Sequence, residues 1–309
     1  MSVSLLEGLA GEWLAYNDEL IRVADPRHCP DDFATSGAVV YEVIRLRAGV
    51  PLFWREHLER MNKSLVSAGI ARDREAAIEL TKKLTTVAER LLFAEAVGVA
   101  GKAGGAGLSG NLRLSCSADL CCAFLSHRYD PTPEQREKGV PVGLLQWERE
   151  DPQVKTLRSD YVAAVGAKLG QPGPYGNYFE LLLADNSGRL TEGSRANLFF
   201  LKEGRIYSAP EGRVLRGITR KYVLGSIEQI FGGLVSEALP VEQVVDLARG
   251  IPLVDGAFIT GSPIDVLPIR AIESVLLPEP IPEQIHALQA AYNRQLDQYV
   301  VANKEFWRM

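Results

Sequence analysis

A change of hydrophobic period between Gly37 and Ala68 constrains this chain more than any other feature of its sequence. Gly37 to Arg47, GAVVYEVIRLR, alternates in polarity and is rich in Val, Ile and Tyr, which predicts a strand. Ala48-Gly49 turns it, and Val50 to Trp54 returns as a hairpin partner. From Arg55 to Ala68 the spacing becomes helical, with Leu58, Met61 and Leu65 on one stripe.

The same reading extends along the chain. A second helix is expected over about Asp73 to Val97, then a loop, GKAGGAGLSG, at Gly101 to Gly110. That loop is too irregular for a phosphate fingerprint, and no strand leads directly into it. Leu112 to Leu125 is a further strand region. Ser126 to Gly139, SHRYDPTPEQREKG, is polar, holds two prolines and reads as a domain boundary. Beyond it come a strand over Val140 to Trp147 and a helix over Thr156 to Leu169. Asp185 to Pro210 reads as short strands linked by turns. Helices follow over Ile218 to Phe231 and Val241 to Arg249, then a strand over Asp255 to Thr260 and a closing helix over Pro282 to Val301. Strand groups with helices segregated around them predict an α+β protein. A length of 309 residues suits two domains: residues 1–126, a linker at 127–139, and residues 140–309.

A net charge of -5 argues against a general nucleic-acid or membrane-surface binder, which would be basic. The N-terminus carries Glu7, Glu12, Asp18 and Glu19 before the first basic residue, Arg22, which is wrong for a signal or transit peptide. No apolar run approaches the length of a membrane span; Leu91 to Ala100 is interrupted by Glu95. Cys29, Cys116, Cys121 and Cys122 show no CxxC spacing and no clustered histidine. The expectation is buried reduced thiols in a cytoplasmic protein, and no metal site.

Four places could carry chemistry. Thr191-Glu192-Gly193-Ser194 puts an acid where a plain hairpin corner would do, and Asn197 interrupts an apolar strand just beyond it. The helix beginning RGITRKYVLG leaves backbone N–H groups and the Thr219 hydroxyl at a positive end, which is an anion site or simply a helix cap. Arg60, on the stripe with Ser64, is a solvated surface arginine unless a phosphate lies near. Lys155 opposes the dipole of the helix it precedes, so capping does not explain it. A desolvated lysine can be a Schiff-base nucleophile; a solvated one is only a surface charge.

Taken in order, VYEVIRL, HLERMNKSL, VKTL, LTEGSRANLFF with LRGITR, and FITGSPIDVLPI resemble the fold-type IV (class IV) family of pyridoxal phosphate enzymes. Branched-chain and D-amino-acid aminotransferases and aminodeoxychorismate lyases belong to that family. The resemblance runs from about Gly37 to Ile269. It implies two α+β domains with pyridoxal 5'-phosphate in the cleft between them, and a homodimer. It implies that Lys155 binds the cofactor covalently and then shuttles the substrate proton. Glu192 would face the pyridine nitrogen. Arg60, Ile218, Thr219 and Ser262 would hold the phosphate, with Asn197 in support. Tyr41 and Arg45 would line the substrate pocket, and Arg113 would meet a substrate carboxylate.

Departures from the branched-chain pattern bear on substrate. The position where that type carries a tyrosine contacting the cofactor's ring hydroxyl is Asp160 here, with Tyr161 one further. That type also uses consecutive backbone N–H groups after TG for the substrate carboxylate, and here the second belongs to Pro263, which has none. Carboxylate binding then falls to Arg113 or Arg45. The implied activity is amino-group transfer between an amino acid and a 2-oxo acid. The alternatives are elimination of pyruvate by the lyase route and a non-catalytic relative of the fold.

Overall fold

A computed structural model of the chain describes residues 3–6, 8–25, 34–35, 37–100, 108–127 and 130–307. Cys29 and most of the glycine-rich loop expected at Gly101 to Gly110 lie outside the described residues. The chain divides into two compact units. One comprises Met1–Tyr129, Val154–Asp160 and Leu296–Met309, and the other Asp130–Gln153 and Tyr161–Gln295.

The first unit is an antiparallel sheet covered by two helices. Its strand order is Thr156–Leu157, Val39–Arg47, Gly110–Cys116, Cys121–Ser126, Leu9–Tyr16 and Glu19–Arg22, with Val50–Pro51 paired to Val39–Arg47. The alternation in Val39–Arg47 is realised in space. Val40, Glu42, Ile44 and Leu46 are buried, while Tyr41, Val43, Arg45 and Arg47 are partly exposed. Helices α1 (Trp54–Ser67) and α2 (Arg74–Ala100) follow. Met61 and Leu65 of α1 and Leu84 and Leu91 of α2 pack with Val40, Ile44 and Leu46 in one core. Each such buried side chain stabilises the fold by about 1.5–3 kcal/mol.

The second unit is a mixed sheet ordered Leu190–Gly193, Glu180–Ala184, Val140–Gln146, Asp265–Ile272, Gly256–Gly261, Asn197–Lys202, Arg205–Ser208 and Leu234–Ser236, with Val275–Leu276 on Asp265–Ile272. Val140–Gln146 runs parallel to both its neighbours. Glu180–Ala184 and Asn197–Lys202 are buried almost throughout, which is why they read as continuous apolar runs rather than alternating ones. Helix α3 (Pro133–Lys138) lies inside the segment expected to be a linker; Thr132 and Gln135 form a capping box at its start. Then come α4 (Ser159–Leu169), α5 (Ile218–Phe231) and α6 (Glu283–Asn303).

Three expectations from sequence are corrected. The helix expected from Thr156 begins at Ser159, because Thr156 and Leu157 pair with Val40 and Val39 as an edge strand. The helix expected over Val241 to Arg249 is a short 3-10 turn, Val241–Gln243, followed by a hairpin of Val245–Asp246 with Ile251–Pro252. The Asp246 carboxylate accepts the Arg249 N–H at 3.0 Å and closes that turn, an option helical periodicity does not reveal. Cys116 and Cys121 are disulfide-bonded rather than reduced. The hairpin register sets them opposite one another, with Cα atoms 4.2 Å apart. Cys122 remains a buried free thiol, its pKa pushed up to about 12 by burial.

Gly139 ends α3 with φ 80°, and a Cβ there would stand 2.9 Å from the Arg270 nitrogen and 3.0 Å from the Pro268 oxygen. Both are backbone atoms of the neighbouring strand and cannot yield. Gly139→Ala is expected to destabilise the protein by about 1 kcal/mol or more. Gly212→Ala, which meets open space, should leave the thermal unfolding midpoint unchanged.

Candidate active site

In the first unit the candidate residues fall on both faces of the Val39–Arg47 strand. On the helix-covered face Glu42 is fully buried. Its carboxylate receives Arg60 Nε at 2.8 Å and Arg60 Nη2 at 2.6 Å, a bidentate fork, and contacts His57 Nδ1 at 2.7 Å. His57 and Arg60 lie one turn apart on α1, so a single helix face supplies both partners. Burial alone would raise the Glu42 pKa; the Arg60 charge and the hydrogen bonds from Arg60 and His57 outweigh it and hold the group at about 2. Burial lowers the pKa of His57 despite its contact with Glu42, which favours the neutral ring. Arg60 is therefore an oriented guanidinium, not the solvated one its helix position allowed.

The opposite face carries Tyr41 and Arg45. Register sets Val43 opposite Arg113, which places Arg113 on this face as well. The Arg113 Cζ lies 4.8 Å from the centre of the Tyr41 ring, and Lys155 Nζ lies 4.6 Å from the same centre. Arg113 Nε also reaches Ser115 Oγ at 3.3 Å. Lys155 sits at the start of the edge strand. Its N–H donates to Ser64 Oγ at 3.2 Å, and its carbonyl accepts the Tyr41 N–H at 3.2 Å. Among the described residues, no ion pair engages its amine. The structure thus brings Tyr41, Arg113 and Lys155 together, a grouping that spans well over a hundred residues of chain.

In the second unit Glu192 is 3% exposed and both its oxygens are engaged. Oε1 receives Arg149 Nη1 at 2.9 Å, and Oε2 receives the Leu215 N–H at 3.0 Å. Asn197, buried one strand along, donates from Nδ2 to the Leu215 carbonyl at 2.8 Å. Glu192 and Asn197 therefore clamp the two polar groups of one residue in the turn that leads into α5. Gly217, further along that turn, is the N-cap, and a Cβ there would overlap Asn197 Oδ1. Thr219 is 2% exposed and its hydroxyl is met by Tyr292 Oη of α6 at 3.3 Å. Ser262 lies at the turn between Gly256–Gly261 and Asp265–Ile272, with Ile264 N–H donating to the Gly261 carbonyl at 3.0 Å.

The departures also find places. Asp160 pairs with Arg158 at 2.9 Å on the surface of the first unit. Tyr161, in the second unit, has its ring centre 5.4 Å from that of Trp147 in a tilted contact and donates its hydroxyl to the Ser194 carbonyl at 2.8 Å. Glu42, His57, Arg149 and Tyr292 were missed in sequence. Only Glu42 left a signal, as an acid at an inward position of an alternating strand.

The donor set at the start of α5 suits a phosphate. The helix has no side-chain cap and no acidic residue in its first turn, so among the described residues no side chain caps its leading N–H groups. Residues 39–272 match the family described as amino-transferase class IV, and the chain belongs to that family. It is an enzyme of the aminotransferase type. The branched-chain-amino-acid aminotransferase of Escherichia coli K12 is 24% identical, over 87% of this chain and 87% of that one. The solved 4-amino-4-deoxychorismate lyase of Pseudomonas aeruginosa superposes with a TM-score of 0.65 at 20% identity, covering 92% of this chain and 99% of that one. A branched-chain amino acid aminotransferase of T.th., solved with pyridoxamine 5'-phosphate, gives 0.67 at 19% identity, covering 93% and 94%. No described helix is long and apolar enough to cross a membrane.

Glu42 supplies a test of the first unit. Its pKa is lowered from 4.5 to about 2 on folding, so it contributes stability above pH 4.5 that disappears as pH falls through about 2. Glu42→Gln leaves Arg60 without its buried partner and should destabilise by about 3–5 kcal/mol. Acid titration followed by circular dichroism should show the gap between wild type and variant closing from pH 4.5 to about 2.

Proposed function

We propose that the protein binds pyridoxal 5'-phosphate and transfers an amino group between an amino acid and a 2-oxo acid. Two arrangements support this reading, each within its own unit: Lys155 beside Tyr41 and Arg113 in the first, and the buried Glu192 braced against the uncapped start of α5 in the second. When bound, the cofactor supplies the electron sink that makes the Cα–H bond of an amino acid acidic.

The roles of the residues follow from their chemistry. The Lys155 amine holds the cofactor covalently and then moves the proton at the substrate Cα. Glu192, its carboxylate directed by Arg149 and the Leu215 N–H, holds a proton at the ring nitrogen. The Ile218 and Thr219 N–H groups, the Thr219 hydroxyl and Ser262 bind phosphate oxygens, and Arg60, aimed by Glu42, adds a charged donor. Asn197 keeps the turn before α5 in shape. Tyr41 and Arg45 line the substrate side, where Arg113 meets a carboxylate in place of the N–H that Pro263 lacks. The working form is a cytoplasmic homodimer.

The same residues would serve the lyase outcome, and the P. aeruginosa relative shows that this fold hosts it. Amino-group transfer is the better supported, since the curated relatives that match over most of the chain carry aminotransferase names.

Purified protein should be yellow, and borohydride reduction followed by peptide mapping should find a pyridoxyl group on Lys155. A colourless protein that takes up no cofactor overturns the reading. Lys155→Ala should retain cofactor and lose roughly 10²–10⁴ in rate; unchanged turnover removes Lys155 from its role. Glu192→Gln should keep the wild-type circular dichroism spectrum and cripple turnover. A donor and acceptor screen that scores pyruvate release separately from amine transfer distinguishes transaminase from lyase.

A further inference from the structure

Arg220, in the first turn of α5, is 4% exposed, and among the described residues no carboxylate touches it. Its Nη1 donates to Ser208 Oγ at 2.7 Å and its Nη2 to the Ala209 carbonyl at 3.3 Å, and its Cζ lies 5.0 Å from the centre of the Phe199 ring. Nε has no acceptor among the described residues. The Ser208 hydroxyl is itself committed as a donor to the Leu198 carbonyl at 2.7 Å. All of these partners are neutral.

Such an arrangement is costly twice over. A buried cation normally has an ion-pair partner, and a cation in the first turn of a helix opposes the macrodipole. Burial lowers the Arg220 pKa, and Glu211 and Glu192 counter this only through space. No acid stands in the first turn to offset the charge. The side chain leaves the helix beside the N-cap, with its Cβ 3.4 Å from where a Cβ on Gly217 would be. The uncapped N–H groups and a buried guanidinium that no carboxylate touches are independent features, one of backbone and one of side chain, and both belong to the first turn of α5, where an anion would offset them.

We propose that the buried charge of Arg220 selects a phosphorylated ligand at the start of α5, setting the potential felt by the phosphate rather than gripping its oxygens. Arg220 is then a positioning residue for the phosphate anchor. The inference rests on the reading of Ile218 and Thr219 as that anchor and adds the source of its charge selectivity. It also accounts for an arginine where dipole and burial both disfavour one: the dianion adds the nearby counter-charge that no contacting carboxylate supplies.

The test uses full-length protein freed of cofactor, titrated with pyridoxal phosphate, with pyridoxal and with inorganic phosphate, and read by intrinsic fluorescence and thermal shift. Wild type should bind pyridoxal phosphate more tightly than pyridoxal and be stabilised by inorganic phosphate. Arg220→Gln should weaken pyridoxal phosphate roughly tenfold, leave pyridoxal unchanged and abolish stabilisation by phosphate. Arg220→Lys, which keeps the charge but not the paired hydrogen bonds, should retain most of the preference. A folded Arg220→Gln protein with the wild-type preference overturns the proposal, as does parallel weakening of both aldehydes. If the glutamine variant does not fold, Arg220→Lys decides: a kept preference supports the proposal and a lost one overturns it. A wild-type protein that binds both aldehydes equally and ignores inorganic phosphate instead fails the anchor reading itself.

Discussion

The second unit depends on a buried carboxylate that must have partners. Glu192 is almost completely removed from water, and an unpaired carboxylate there would cost far more than the unit could bear. Arg149 answers one oxygen and the Leu215 N–H the other. Because Leu215 is held from its other side by Asn197, the acid, the amide and the start of α5 form one connected structure. The Gly217 N-cap completes it, since the Asn197 amide fills the space a side chain would need. The buried acid and the start of α5 are thus held at a set separation by side-chain hydrogen bonds to the Leu215 backbone.

The first unit solves the same problem on one face of its sheet and uses the other face differently. Glu42 is buried against α1 and takes its compensation from Arg60 and His57. The strand's alternation then sends Tyr41 and Arg45 the opposite way, where Arg113 and Lys155 approach the Tyr41 ring. A period of two therefore separates the Glu42, Arg60 and His57 cluster from the Tyr41, Arg113 and Lys155 cluster within adjacent residues. Helix α1 serves both, since Ser64, one turn beyond Arg60, receives the Lys155 N–H.

Several elements were legible because their signals are local. The strand over Val39–Arg47, helix α1, helix α5 and the short strands about Glu192 follow from period, turn residues and glycine placement, and they appear near their expected bounds. Errors arose where pairing overrode propensity. Thr156 and Leu157 carry no helix-breaking residue, yet an open sheet edge recruits them as a strand. Val245–Asp246 is taken from an apparent helix by its own hairpin. The Cys116–Cys121 bridge depends on strand register, which residue spacing does not disclose.

The sequence by itself determined the family, because an ordered set of short motifs is a property of the chain and needs no coordinates. It also picked out Lys155, Glu192 and the start of α5 as places that could carry chemistry, while leaving a surface lysine and a plain helix cap open. Only the tertiary structure decided what surrounds them: Arg149 and Leu215 on Glu192, Glu42 on Arg60, Tyr41 beneath Lys155, and a buried Arg220 with neutral neighbours. Those relationships join residues distant in the chain. They exist because burial strips water from charged groups, and the fold must bring them other partners.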